Sequence, residues 1–347
     1  MNNTTIVYMA NDARPKGGLA DRLYGIVTLY KICKLHGFRF KINFTVPFDL
    51  SAYLLPRYDW KISEDEIALN KAKSVSVSSF AADAPVPEYA DTEEYPELDF
   101  DGLCAVIENY SKDYEYILLY TNRKYCAGDY GALFDELFSL SPALRDAVDS
   151  HREKLNYEYP AAVFRFQCLL DDFDEHTGGN RFPTLPARLQ DAFIQRNINH
   201  LIKIHNSNKG KKILVCSDSV RFRNAAAMYD FVYAVGGERQ HINIPKMENQ
   251  YAMLTFIDFF LISYSGTAYL VLDGIKDNGI KYETYNSGFP RVASYLKNVK
   301  FILMDYRLFS TKIKRYKSGI MRRLERLIKQ FIILCKRTEP HAGKNHS

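Results

Sequence analysis

Ile6-Val7-Tyr8-Met9-Ala10-Asn11-Asp12-Ala13-Arg14-Pro15-Lys16-Gly17-Gly18-Leu19-Ala20-Asp21-Arg22 is the stretch whose reading decides the fold class. An apolar run of strand length stops at Asn11-Asp12, and a Pro15-Lys16-Gly17-Gly18 turn follows. Leu19, Leu23, Ile26, Val27, Tyr30 and Cys33 then recur at helical spacing until Gly37 ends the pattern. Phe38 to Phe44 alternates as a second strand. Strand, glycine turn, helix and strand make a βαβ unit, and a βαβ unit implies a parallel sheet.

Residues 45–130 carry less pattern. Pro85-Val86-Pro87 and the acidic run Asp91–Asp101 read as loop, Tyr116–Tyr120 as a strand, and Phe134–Leu155 as helical. Tyr159-Pro160 reads as a hinge. Beyond it the α/β grammar returns. Strands are expected at Val163–Phe166, Lys211–Cys216, Phe231–Val235 and Ala268–Leu272. Helices are expected at Leu185–Asn206, Phe222–Tyr229, Asn249–Ile262 and Pro290–Lys297. The simplest architecture is an N-terminal Rossmann-like domain (1–158) and a C-terminal one (159–307), facing each other across a cleft. A basic tail (308–347) follows.

A chain of 347 residues suits two domains, and 47% hydrophobic with 25% charged residues is the composition of a globular protein. The net charge of +5 is a property of the tail. Residues 308–347 hold eleven Lys/Arg against two acidic residues, so the remainder is slightly acidic and no nucleic-acid surface is implied. Six scattered cysteines, with no CxxC pair, read as reduced thiols of a cytoplasmic protein. The N-terminus lacks the marks of a signal peptide, and no uncharged run is long enough to cross a bilayer.

The chemistry is expected at the ends of strands. Arg165 closes the apolar run Ala161-Ala162-Val163-Phe164 and precedes Leu169-Leu170-Asp171-Asp172-Phe173. At a strand's C-terminal end its planar fork suits a phosphate or carboxylate; a salt bridge to Asp171 or Asp172 is the competing reading. Gly17-Gly18, before a helix that carries Arg22, permits close approach of an anion to a helix N-terminus, or is simply a tight turn. It matches neither the dinucleotide nor the P-loop fingerprint. Ser217-Asp218-Ser219 follows a strand and could meet a base or ribose, or cap the next helix. Ser263-Tyr264-Ser265-Gly266-Thr267 offers hydroxyls and amides for a phosphate, or a helix stop. Asp258, in an apolar helix, is either paired internally or turned toward a site. Ser287, opening the last helix, and His241, just after a strand, could reach the same cleft.

In this order the elements resemble the fucosyltransferase superfamily of GT-B glycosyltransferases, most closely its bacterial surface-polysaccharide members. The resemblance is carried by Gly17-Gly18-Leu19-x-x-Arg22, Val163-Phe164-Arg165-Phe166, Ile213-Leu214-Val215-Cys216-Ser217-Asp218-Ser219, and Asp258–Ser263 with Ser287-Gly288-Phe289-Pro290. It implies a nucleoside-diphosphate sugar donor, usually GDP-fucose, bound by the C-terminal domain without an essential metal or other cofactor. Arg165 matches the arginine that binds the diphosphate, and Asp218 the acid that contacts the nucleotide. Ser265 and Thr267 match a later Ser/Thr pair. Val163 stands where the family has histidine, and Asp21-Arg22 replaces a common amide pair.

Glycosyl transfer by direct displacement is therefore expected, with Arg165, Asp171 and Asp172 as the catalytic set. Gly17, Gly18, Arg22, Ser217, Asp218, Ser219, His241, Ser265, Gly266, Thr267 and Ser287 join Arg165 around the donor. Asp171, Asp172, Glu175 and Asp12 are candidates for the base. In the tail, Ile320, Met321, Leu324, Leu327, Ile328, Phe331, Ile332 and Leu334 form an apolar stripe flanked by Lys and Arg. A basic amphipathic helix over 311–337 would suit an anionic membrane surface, and with it a lipid-linked acceptor on the inner face of the plasma membrane. A packed C-terminal helix is the competing reading.

Overall fold

The computed structural model describes residues 3–11, 17–79, 98–123, 125, 128–173, 183–242 and 246–307, and the backbone of 93 and 94. The tail, Asp12 and Glu175 lie outside them.

The N-terminal half comprises β1 (Thr5–Ala10), α1 (Leu19–His36), β2 (Arg39–Phe44), β3 (Leu54–Pro56), α2 (Glu64–Leu69), β4 (Ser74–Ser79), β5 (Glu93–Glu94), α3 (Phe100–Tyr110), β6 (Tyr116–Thr121), α4 (Tyr130–Leu137), β7 (Phe138–Leu140) and α5 (Pro142–Lys154). β2-β1-β6-β4-β5 form a parallel sheet in that order. Every residue of β1 is buried, which is why it reads as an unbroken apolar run.

The C-terminal half comprises β8 (Pro160–Phe164), α6 (Ala187–Ser207), β9 (Ile213–Ser217), α7 (Val220–Ala226), β10 (Val232–Tyr233), α8 (Asn249–Ser263), β11 (Thr267–Leu272), β12 (Gly274–Asp277), β13 (Ile280–Glu283), α9 (Phe289–Leu296) and β14 (Lys300–Asp305). β10-β9-β8-β11-β14 make the second parallel sheet. β12–β13 is an antiparallel hairpin inserted before α9.

The expected βαβ opening is present. Within the stretch 134–155, read as helical, α4 ends at Leu137 and α5 begins at Pro142 after the Ser141 cap; the short β7 between them pairs with β3. The strand expected at Phe231–Val235 is only two residues long. Tyr159-Pro160 is no loose hinge. Tyr159 is buried, its hydroxyl donates to Leu261 O (2.8 Å), and its carbonyl accepts from Gly266 N (2.8 Å).

α1 and α8 are apolar on nearly all sides because they lie between the sheets rather than on a surface. α9 packs on α1, α4 and α8, and α8 also packs on α5, so one continuous core joins the halves. Aromatic rings carry the seam: Tyr53 stacks on Phe256 with centroids 4.7 Å apart, and Phe48 meets Phe256 edge-on at 5.7 Å. At Gly131 a Cβ would lie 2.4 Å from Leu296 O, so only glycine lets α4 approach the end of α9 this closely. Ligands of open α/β sheets bind beyond the C-terminal strand ends. Here the loops at those ends meet: Met247 N donates to Pro47 O across the halves (3.1 Å).

Candidate functional site

Arg165 follows the last residue of β8. Its Nη1 pairs with Asp218 Oδ2 at 2.9 Å, and its guanidinium lies over the Phe173 ring at 4.7 Å. Among the described residues its ion-pair partner is thus Asp218, not Asp171 or Asp172. Asp218 is buried, and both carboxylate oxygens are engaged. Oδ1 accepts from Phe166 N (2.9 Å) and Ser219 N (3.1 Å), and Oδ2 from Gln167 N (2.7 Å). The carboxylate therefore holds the turn after β8, where Gln167 takes φ 54°, and aims the arginine. Arg165 keeps 17% of its side chain exposed.

Ser219 caps α7, accepting from Phe222 N (3.0 Å), and donates to Asp172 Oδ2 (2.7 Å), which also accepts from Arg221 N (2.8 Å). Ser217 Oγ accepts from Ser219 N (3.2 Å). Asp172 and the Ser217-Asp218-Ser219 triplet thus serve the loop's own architecture. Asp171, left-handed at φ 57°, is the exposed carboxylate of the pair.

Across the seam, Asp21 Oδ2 accepts from Gly18 N (3.1 Å) at the start of α1, and Gly17 takes φ 76°. A Cβ on Gly17 would lie 2.5 Å from that oxygen. Arg22 does not extend into the cleft. Only 2% exposed, it donates to Gly17 O (3.1 Å), Val46 O (2.9 Å) and Ile242 O (3.4 Å).

His241 lies on the facing loop. Burial, with the Arg165 and Arg22 guanidinium groups nearby, pushes its pKa from 6.5 down to about 3. Between those values the unfolded chain binds a proton at this imidazole and the folded chain does not. Stability should therefore rise with pH across that window and level off above about 6.5. We expect His241→Gln to flatten this part of the urea-midpoint profile; an unchanged slope would show that the imidazole titrates normally.

Asp258, ambiguous in the sequence, is paired internally. Arg239 Nε and Nη2 contact its two oxygens at 2.7 and 3.1 Å while Nη1 and Nη2 also donate to carbonyls of residues 235–237. The pair ties the loop leading to His241 onto α8.

Ser287 comes to the site through the backbone: Tyr285 N donates to Arg165 O (2.9 Å), and Ser287 Oγ accepts from Phe289 N (3.2 Å) at the start of α9. Arg165, Ser287 and the α9 N-terminus therefore share one strand edge. Thr284, which bonds Asp273 through its backbone and hydroxyl, fixes the segment. Asp273 is fully buried just past β11, where it meets Arg196 Nε (2.7 Å), His200 Nε2 (3.2 Å) and Gly274 N (2.8 Å). Sequence reading missed this cluster. Its signal was an acid directly after an apolar strand, as at Asp218.

Ser265, Gly266 and Thr267 are a correction. Register pairs Thr267 with Pro160 and Val271 with Phe164, so these residues sit at the N-terminal edge of the sheet. Arg165 lies about five residues further along, roughly 16 Å away at strand rise. Ser265 Oγ donates to Ile262 O (2.8 Å), ending α8. The turn is a helix stop, not part of the Arg165 edge.

No protein-family model matches the chain, and no curated protein matches it in sequence. Solved structures do match in shape. A variant of FUT1 from Arabidopsis thaliana in complex with GDP aligns over 86% of this chain and 70% of its own, with 11% identity and a TM-score of 0.52. POFUT1 in complex with GDP aligns over 88% of this chain and 98% of its own, with 10% identity and a TM-score of 0.51. The chain is similar to these fucosyltransferases in fold, two facing Rossmann-like halves of the GT-B type, as expected from its sequence.

Proposed function

We propose that the protein is a glycosyltransferase of the fucosyltransferase kind. It takes a sugar from a nucleoside-diphosphate sugar, with GDP-fucose the favoured donor, and passes it to a glycan acceptor in surface-polysaccharide synthesis without a metal ion. The carrying observation is the convergence, at one sheet edge, of Arg165 and of the Ser287 segment that leads into the α9 N-terminus. These are donors suited to a diphosphate. Charge builds on that leaving group as the glycosidic bond to it breaks, so fixed donors lower the barrier. Asp171, exposed in the loop that follows Arg165, is the favoured base for the acceptor hydroxyl.

A thermal-shift panel of GDP, UDP, ADP and their sugars tests this reading. Stabilisation by one nucleoside diphosphate is expected, GDP first. Silence across the panel would favour a protein of this fold that does not handle nucleotides. Binding without turnover would favour a non-catalytic binder, and preference for another base a different donor.

The same reading places the enzyme in the cytoplasm, held at the inner membrane face by residues 311–337, with a lipid-linked acceptor. Its support is the apolar stripe and basic flanks of the tail. Among the described residues, no helix is long and apolar enough to cross a membrane. The full chain should float with anionic liposomes while a 1–307 truncation stays behind; equal flotation overturns the attachment.

A further inference from the structure

Three loop carbonyls converge on the guanidinium of Arg22. Gly17 O belongs to the loop before α1, Val46 O to the loop after β2, and Ile242 O to the loop after β10. The first two lie in the N-terminal half and the third in the C-terminal half, adjacent to His241. The guanidinium sits 5.5 Å from the Phe44 ring centroid. Close by, Gly18 lies against the Ile242 side chain, and the Met247–Pro47 backbone bond closes the same seam. A buried cation is tolerable only where its donors are satisfied, and here carbonyls of both halves satisfy it.

We infer that Arg22 is a positioning residue. It latches the His241 loop onto the glycine loop of the opposite half, so that the N-terminal half shapes a pocket whose anion-binding groups lie in the C-terminal half. This rests on the reading above that a nucleoside diphosphate occupies the Arg165 edge, and deepens it: Arg22 acts through Ile242 and His241 rather than by touching the phosphates. The latch depends on the planar fork, whose nitrogens point in divergent directions. A compact ammonium on a flexible stem cannot reach three carbonyls so arranged.

The test uses the full chain with Arg22→Lys and Arg22→Met. In the ligand-free proteins, hydrogen exchange of peptides spanning residues 235–242 and 45–48 is expected to quicken at least tenfold in both variants, with β8 and α6 unchanged. Unchanged exchange at the two loops overturns the latch; so does uniform acceleration, which would mark Arg22 as a general core strut. GDP titration by calorimetry supplies the second readout. Arg22→Lys should weaken binding about as much as Arg22→Met, at least tenfold. Wild-type affinity in Arg22→Lys would mean that charge alone matters and the inference is wrong. If the wild-type protein binds no GDP, the nucleotide assignment fails, while the exchange measurement still decides the latch.

Discussion

Arg165→Ala is expected to lower turnover of a nucleoside-diphosphate sugar by about 10²–10³-fold, the usual effect of deleting one preorganised donor aimed at developing charge. The residue is suited to that role by position and restraint. It leaves β8 at the C-terminal edge, Asp218 pairs with its Nη1, and its guanidinium lies over the Phe173 ring. These contacts fix the side chain, so little reorganisation is needed when charge builds. Arg165→Lys should recover only part of the loss, because an ammonium cannot hold Asp218 and bind a phosphate in the same bidentate manner. Steady-state rates with the donor identified by the thermal-shift panel provide the check. Full turnover by Arg165→Ala would refute the mechanism.

The second large effect is on stability. Asp218→Ala is expected to cost on the order of 3–5 kcal/mol, the range seen when one partner of a buried ion pair is removed. The cause goes beyond the pair. Deleting the carboxylate leaves the amides of Phe166, Gln167 and Ser219 without their acceptor, and the turn that aims Arg165 loses its anchor. Asp218→Asn keeps an acceptor for one side only and should fall between. Urea denaturation measures both, and a loss below about 1 kcal/mol for Asp218→Ala would show that the turn holds itself. Nucleotide binding should fall with stability in these variants, whereas Arg165→Ala should lose binding while keeping more of its stability. That contrast separates the residue that aims from the residue that binds.

The fold was legible because its signals are local. β1, β8, β9 and β11 are buried strands and read as apolar runs, while Gly17-Gly18 and Gly37 punctuate α1. β4, with its run of alternating serines, and α3 carry weaker signals along the chain. Along the chain α1 reads as a periodic helix and α8 as an apolar one, with nothing to say what either packs against. Only assembly reveals that they are the seam between the halves.

The site divides in the same way. Sequence alone determined that an arginine stands at a strand's end, that an acid stands at the end of another, and that glycines open the first helix. Those are statements about neighbours along the chain. Tertiary structure decided their partners: Asp218 serves Arg165 across 53 residues, Arg22 reaches Ile242 across 220, and Tyr285 brings Ser287 to Arg165. It also moved Ser265-Gly266-Thr267 to the opposite edge, because parallel register sets which end of a strand a turn occupies. The physical reason is common to all four. Hydrogen bonds and ion pairs act over about 3 Å, so what a polar side chain does depends on which remote backbone folding brings within that distance.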